Sequence, residues 1–306
     1  MKKKQPPNRQ HEILNTFQYH LRDVVGLSAK TCQNHCREIS GFLQGISIQQ
    51  TAELVKLTGV ELVNHLRARS EDCQPASLRQ VAGSLRQFLR FTEQQGWTGP
   101  LLSLAVPKIA CREHNDLPAY LNQEQLDLLL AGWDPTTAEG QRDLAIGLCL
   151  VRLGMRAGEV GALLLEDLNW RQGTVRLSQS KNGCPAELPL LAEVGEAIAK
   201  YLHTGRPKCN HRHVFLLHQP PELMHGGSIS QVIRRALQRC GIAVTRPGAH
   251  LLRHTLASHL VQKGASLKEV ADVLRHRHLN SAAVYAHIDL PRLQPLAQPW
   301  PKEATL

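Results

Sequence analysis

Apolar residues recur every three or four positions through the first 98 residues, which is the spacing of one face of an α-helix. Such faces run over residues 10–25, over a segment that Ser28 can cap, over a segment from Gly59, and over a segment from Ser77 to Gly96. Serine is a favoured residue before a helix, and glycine is favoured just after one. The pattern predicts four amphipathic helices and therefore a small all-α domain over residues 9–98.

The pattern changes after this domain. Residues 99–118 contain three prolines and show no clear period, which predicts a linker. A helix is predicted from Asn122 or Gln123, and the nearly continuous apolar run over 141–154 predicts a buried helix. Alternating apolar residues over 173–190, interrupted by Asn-Gly at 182–183, predict a β-hairpin.

The last third of the chain again reads as helices. They are predicted over 192–203, over 228–240, from His250 to Gly264, after a capping box of Ser266 and Glu269, and around Tyr285. Four prolines after residue 290 exclude further regular helix, so 291–306 is expected to be a tail. The chain is therefore predicted to be mainly α with a small β-hairpin. Its parts are a disordered start (1–8), a helical domain (9–98), the linker and a second domain (119–290).

Charge and composition narrow the class of partner. The 306 residues carry a net charge of +10, and only 4% of them are aromatic. Residues 1–98 hold 13 Lys and Arg against 8 Asp and Glu, and the rest hold 23 against 18, so both parts are basic. This balance favours double-stranded DNA held through its phosphates over single strands stacked on aromatic rings.

Other compositional features exclude classes of protein. No stretch approaches the length of about 20 apolar residues that a membrane span needs, and no apolar signal region follows the basic start. The eight cysteines form no C-x-x-C pair, which favours reduced cysteines packed as small core residues. We expect a cytosolic protein without a membrane partner.

Six polar residues in the second part could act together on a phosphodiester. Arg253 follows His250 by three residues, and Tyr285 follows His276 by nine. Breaking a DNA strand by transesterification needs a nucleophile, cations around the phosphate oxygens and an acid for the leaving oxygen. The residues that supply these groups are Arg156, Lys181, His250, Arg253, His276 and Tyr285.

This set, in this order and spacing, resembles the tyrosine recombinases of the phage integrase family, and the resemblance extends over nearly the whole chain. It implies that Tyr285 is the nucleophile, that Arg156 and Arg253 bind the phosphate with His250 and His276, and that Lys181 protonates the leaving 5′ oxygen. Glu159 would support Arg156 rather than act chemically. Arg275 stands where many members have glycine, and the surrounding sequence looks most like recombinases of transposons and other mobile elements.

The resemblance also implies the architecture and the activity. Residues 9–98 would be a core-binding, SAM-like domain, and 119–290 a catalytic domain, which together clamp DNA. The enzyme would cleave and rejoin strands through a 3′-phosphotyrosine, without cofactor or metal, in integration, excision or transposition. It would work as a homotetramer on two DNA sites, with or without sister recombinases, in the bacterial nucleoid. The alternatives are a type IB topoisomerase-like enzyme and a catalytically silent DNA-binding accessory protein.

For three further sets of residues, the sequence allows both a functional and a purely structural interpretation. Arg79, Arg86 and Arg90 can share one face of the fourth helix, either as DNA phosphate contacts or as a solvated surface. The Cys209, His211 and His213 cluster has alternate spacing that zinc sites use, but it lacks a second cysteine pair, so no metal is expected. His254 is expected to pack or to bond locally.

Overall fold

The computed structural model describes residues 9–110, 119–177, 185–275 and 284–285. The chain divides into two compact units, Met1–His114 and Asn115–Leu306. Over the described ranges, helices predominate and the only strands form one small sheet, so the predicted fold class is confirmed. None of the helices in these ranges combines the length and the apolar character that a membrane crossing requires.

The first unit contains the four predicted helices. They are α1 (Arg9–Tyr19), which a π-helical turn (His20–Val24) continues, α2 (Ala29–Gly45), α3 (Gly59–Asp72) and α4 (Pro75–Gln94). The Ser28 hydroxyl accepts a hydrogen bond from the Thr31 amide at 3.3 Å, as the predicted cap requires. The apolar faces meet in one core, in which Phe17, Phe88 and Phe91 are fully buried and in ring contact.

Residues 99–110 belong to this first unit. A 3₁₀ turn (Leu102–Ala105) and single side chains of Leu102, Val106 and Ile109 pack against the helical core. Single contacts on a short turn have no helical period, which is why this stretch looks like a linker in the sequence.

The second unit is built around one buried helix. Its described helices are α5 (Gln123–Ala131), α6 (Ala138–Arg152), α7 (Ala157–Ala162), α8 (Ala192–Lys200), α9 (Gly226–Arg239), α10 (Ala249–Gln262) and α11 (Leu267–Val273). Helix α6 touches α5, α7, α8, α9 and α10, which explains its apolar residues on all sides. Helix α7 was not predicted, since it has only six residues, two of them glycine.

A three-stranded antiparallel sheet lies beside these helices, in the order β1 (Leu168–Asn169), β2 (Thr174–Leu177) and β3 (Ala186–Pro189). Val175 pairs with Leu188, as expected for the two strands of the predicted hairpin. Strand β1 was missed, because two residues cannot establish an alternation. The Asn182-Gly183 turn lies outside the described residues.

The capping box before α11 is formed as predicted. The Ser266 hydroxyl accepts from the Glu269 amide at 3.2 Å, and the Glu269 carboxylate accepts from the Ser266 amide at 2.7 Å. Beyond Arg275 only Val284 and Tyr285 are described, so the predicted short helix and the tail over 291–306 lie outside the described residues.

Candidate active site

A glycine turn after α6 positions Arg156. Gly154 has φ +57°, and a Cβ there would come within 2.9 Å of the side chains of Leu256 and Leu274. The position therefore needs glycine for both its backbone conformation and its space. Gly158 lies inside α7 with open space around it and without a positive φ, so it does not contribute to the bend.

Glu159 holds Arg156 at the start of α7. Its carboxylate accepts from the Arg156 backbone amide at 2.8 Å and from Nη1 of the Arg156 guanidinium at 2.7 Å. The Glu159 side chain is only 3% exposed, and that of Arg156 is 22% exposed. Arg156 also donates from Nη2 to the carbonyl of Arg275 at 3.2 Å. These contacts fix the orientation of the guanidinium, which suits a planar group that binds an anion through two donors.

Arg253 approaches the same stretch of backbone from α10. It donates from Nη1 to the carbonyl of Gly154 and from Nη2 to the carbonyl of Leu274. Burial first, and then the neighbouring charges of Arg156 and Arg275, lower the pKa of its guanidinium to about 10. The two arginines predicted from separate motifs are thus brought together around the turn at Gly154.

Tyr285 lies in a small core formed by α10 and α11. Its side chain is 1% exposed and packs with Ala257, Val261, Val270 and Leu274. Burial raises the pKa of the phenol to about 12, although the charge of Arg253 acts in the opposite direction. A buried neutral phenol is a poor nucleophile, so a base or a change of environment is needed before it can attack.

The hydroxyl of Tyr285 forms a 2.7 Å hydrogen bond with Nδ1 of His254. Burial first, and then the charges of His250, Arg253 and Arg246, lower the pKa of His254 to about 4, so its ring is neutral near pH 7. His254 packs locally against the ring of His250, as predicted, but its hydrogen bond is not local, since the partner is 31 residues away. The missed indication was the spacing of four from His250, which puts both rings on one face of a helix.

His250 lies in the first turn of α10 and is exposed. Its ring stacks on that of His254, with 5.7 Å between ring centroids. Lys181 and His276, the other two predicted site residues, lie outside the described residues. The geometry therefore describes four of the six predicted residues, together with Glu159 and His254.

The arginines of α4 have different surroundings from those of the second unit. Arg79 and Arg90 are exposed on the helix. Arg86 is half-buried and donates from Nη2 to the carbonyl of Pro107 at 2.7 Å. Arg86 therefore supports the segment after α4, whereas Arg79 and Arg90 lie at the surface.

The histidine cluster after α8 is explained by backbone contacts. Arg206 donates to the carbonyls of His211 and His213, and His213 forms an isolated β-bridge with Leu164. In extended backbone of this kind, side chains two residues apart lie on the same face. Within the described ranges, no group of three or more His, Cys, Asp or Glu side chains could hold a metal ion.

The chain is similar to known proteins over most of its length. The model of the phage integrase family matches residues 119–291. The putative integrase/recombinase y4rA of Sinorhizobium fredii is 35% identical over 300 residues, which cover 97% of this chain and 73% of that protein. The tyrosine recombinase XerC of Oceanobacillus iheyensis is 28% identical over 92% of this chain and 93% of its own length.

A solved structure supports the fold at lower sequence identity. A lambda integrase tetramer bound to a Holliday junction has a TM-score of 0.69 and 19% identity, covering 96% of this chain and 80% of that one. The family model spans more than half of the sequence, and y4rA aligns along almost all of it. The chain therefore belongs to the phage integrase family of tyrosine recombinases.

Proposed function

We propose that the protein is a site-specific DNA recombinase in which Tyr285 cleaves a strand and forms a 3′-phosphotyrosine. The observation that supports this proposal best is the convergence of Arg156 and Arg253 on the turn at Gly154, with the charge of Arg253 also acting on Tyr285. Two guanidiniums provide planar forks for the non-bridging oxygens of one phosphate.

In the cleavage step, the Tyr285 oxygen attacks phosphorus and the bond from phosphorus to the 5′ oxygen breaks. His254 is placed to take the phenolic proton through Nδ1, because its neutral ring can accept a hydrogen bond there when the ring proton is on Nε2. A bound phosphodiester would offset the positive charges that lower the pKa of His254, and would therefore make it a better base. Lys181 is our candidate for protonating the 5′ oxygen.

The reaction conserves the phosphodiester as a phosphotyrosine linkage. The 5′ hydroxyl of a second strand can attack this linkage, which restores the phenol of Tyr285 and joins the new strand. We propose that four copies perform this exchange on two duplexes, in the cytoplasm at the bacterial nucleoid, and that the reaction moves a mobile element. The tetrameric lambda integrase on a Holliday junction and the relatives named integrase/recombinase support this assembly and role.

The test is a trap for the covalent intermediate. Cells that carry the protein with its native DNA neighbourhood are lysed in denaturant, and the ends of protein-linked DNA are sequenced. We expect an adduct at one short site for the wild type and none for Tyr285→Phe. Tyr120→Phe is the matched control, because it removes another hydroxyl of the second unit, which accepts from Gln262 at 3.1 Å.

Other outcomes separate the alternatives. Adducts scattered over many sites would favour a topoisomerase-like enzyme that acts on single duplexes. An adduct that persists in Tyr285→Phe would assign the nucleophile to another residue. Absence of any adduct, even after neighbouring recombinases are added, would favour a DNA-binding accessory protein.

A further inference from the structure

Arg275 has a backbone conformation that favours glycine. Its φ is +54°, and the other described non-glycine residues with positive φ are Ser47 and Leu101, both exposed in the first unit. A β-carbon is unfavourable in the left-handed region, so such a residue persists only where the surroundings compensate for the strain. Arg275, in contrast to the other two, is mostly buried, with a side chain 16% exposed.

The compensation comes from contacts with the phosphate-binding arginine. Arg275 donates from Nη2 to Oε2 of Glu159 at 2.8 Å and to the carbonyl of Gly154 at 3.3 Å. Its own carbonyl accepts from Arg156 at 3.2 Å. Glu159 binds Arg156 with its other oxygen. Arg156, Glu159 and Arg275 therefore form a closed ring of hydrogen bonds around the turn at Gly154.

The charges of this ring and of the neighbouring Arg253 do not balance within the described part of the site. Arg156, Arg253 and Arg275 bring three positive charges, and Glu159 brings one negative charge. Nη1 of Arg275 is buried and has no hydrogen-bond partner among the described residues. Burial lowers the pKa of Arg275, as it does that of Arg253. Buried cations in excess of their counterions are costly, so the site is suited to an incoming anion.

We propose that Arg275 is a positioning residue of the strand-cleavage site, which holds Arg156 through Glu159 and gives the site enough positive charge for a doubly charged transition state. A phosphodiester carries one negative charge, whereas the pentacoordinate phosphorus formed during attack carries two. The net charge of +2 among these four side chains matches the transition state better than the substrate, which is the condition for accelerating the reaction. This inference rests on the proposed function.

A structural role alone would favour a different residue. Glycine would relieve the strain at position 275 and would remove one uncompensated charge, so a chain that needed only stability would gain from it. Activity and stability should therefore change in opposite directions when Arg275 is replaced.

The variant Arg275→Gly tests whether cleavage activity and stability change in opposite directions. The DNA site recovered by the adduct trap is synthesised with a nick, so that cleavage releases the fragment that carries the 5′ hydroxyl. Single-turnover cleavage of this DNA is then measured with enzyme in excess. We expect cleavage to fall on the order of 10²-fold, the lower end of the effect of removing one group that stabilises transition-state charge. We expect DNA affinity within about twofold of the wild type, since duplex binding depends mainly on many phosphate contacts, and an unfolding midpoint no lower than that of the wild type.

Two further variants serve as controls. Ser47→Gly relieves the same type of strain, at φ +58° in the first unit, and should leave cleavage unchanged. Arg275→Lys keeps the charge but cannot bind Glu159 and Gly154 with one planar group, so it should recover only part of the activity. It also covers the case in which Arg275→Gly fails to fold.

A second experiment measures anion binding by the protein without DNA. Sulfate, a phosphate mimic, should raise the unfolding midpoint of the full chain at constant ionic strength, and Arg275→Gly should lose most of this rise. If the wild type forms no DNA adduct, the proposed function fails, while the sulfate arm still decides whether Arg275 belongs to the anion site. Cleavage and sulfate binding equal to wild type in Arg275→Gly would overturn the inference.

Discussion

The arginines on α4 and the arginines around Gly154 carry the same group in opposite environments. Arg79 and Arg90 are exposed, where solvent and salt screen their charge. Arg253 is 3% exposed and donates to two backbone carbonyls. An exposed arginine keeps many side-chain orientations, whereas the guanidinium of Arg253 is held in one orientation by the protein, which is the property that the proposed phosphate site needs. This difference explains why the sequence predicts a specific role for Arg156 and Arg253 but leaves two interpretations open for Arg79 and Arg90.

The strongest test of this comparison is the replacement of Arg253 by lysine. The charge remains, but a single ammonium group cannot reach the carbonyls of Gly154 and Leu274 together and still present a fork to phosphate. We expect a loss of about 3–4 kcal/mol of transition-state stabilisation, or roughly 10²- to 10³-fold in the cleavage rate. Single-turnover cleavage of the trapped DNA site measures this effect.

Arg212→Lys is the matched control for that substitution. Arg212 is 63% exposed and pairs with Glu166 at the surface of the same unit. The charge is again retained and the pair is solvated, so cleavage should stay at the wild-type rate. Equal losses in the two variants would contradict the distinction between buried and exposed arginines.

An intermediate effect is expected from His254, through the dependence of stability on pH. Its pKa is about 4 in the folded chain and 6.5 as the ordinary value. Because the folded state lowers this pKa, stability is complete above about pH 6.5 and decreases as pH falls towards 4. In His254→Asn, whose side-chain oxygen can replace Nδ1, this loss should be absent.

The measurement is the free energy of unfolding of wild type and His254→Asn at pH 7 and at pH 5. The difference between the two proteins should change by about 2 kcal/mol across this range. Burial also lowers the pKa of His35, His65 and His213, but these residues act equally in both proteins and cancel in the difference. A difference that does not change with pH would show that His254 is not buried against Tyr285.

The smallest effect is expected from the exposed pair on α4. If Arg79 and Arg90 each bind a phosphate, replacing both with glutamine should reduce the slope of log affinity against log salt by about 2. Cleavage of fully bound DNA should not change. Arg22→Gln is the control, since Arg22 already pairs with Asp23 at 2.9 Å. An unchanged slope would identify the α4 face as a solvated surface.

The sequence predicted the elements whose pattern is long or well capped. The four helices of the first unit and the capping box at Ser266 are local features, and the structure has them where they were expected. The convergence of Arg156 and Arg253 was predictable only through the family resemblance, because 97 residues separate them. Helix α7 depends instead on its capping by Glu159 and its packing on α9, neither of which appears in a six-residue pattern.

Two features of the site could not be read from the residues alone. Glycine is the usual sequence mark of a positive φ, so an arginine at position 275 hides that conformation. The hydrogen bond between His254 and Tyr285 joins residues 31 positions apart, and only the spacing of His254 from His250 indicated the face of α10 on which His254 would lie.

The burial of the Tyr285 phenol affects how the protein acts on DNA other than its target. With a pKa of about 12, only about one molecule in 10⁵ carries the phenolate at pH 7, against roughly one in 10³ for an ordinary tyrosine. With 1% of the side chain exposed, even this fraction cannot meet a passing duplex. If Tyr285 is the nucleophile, as proposed, this burial keeps the enzyme from nicking phosphodiesters that it meets by chance, and cleavage requires a complex in which the tyrosine becomes exposed.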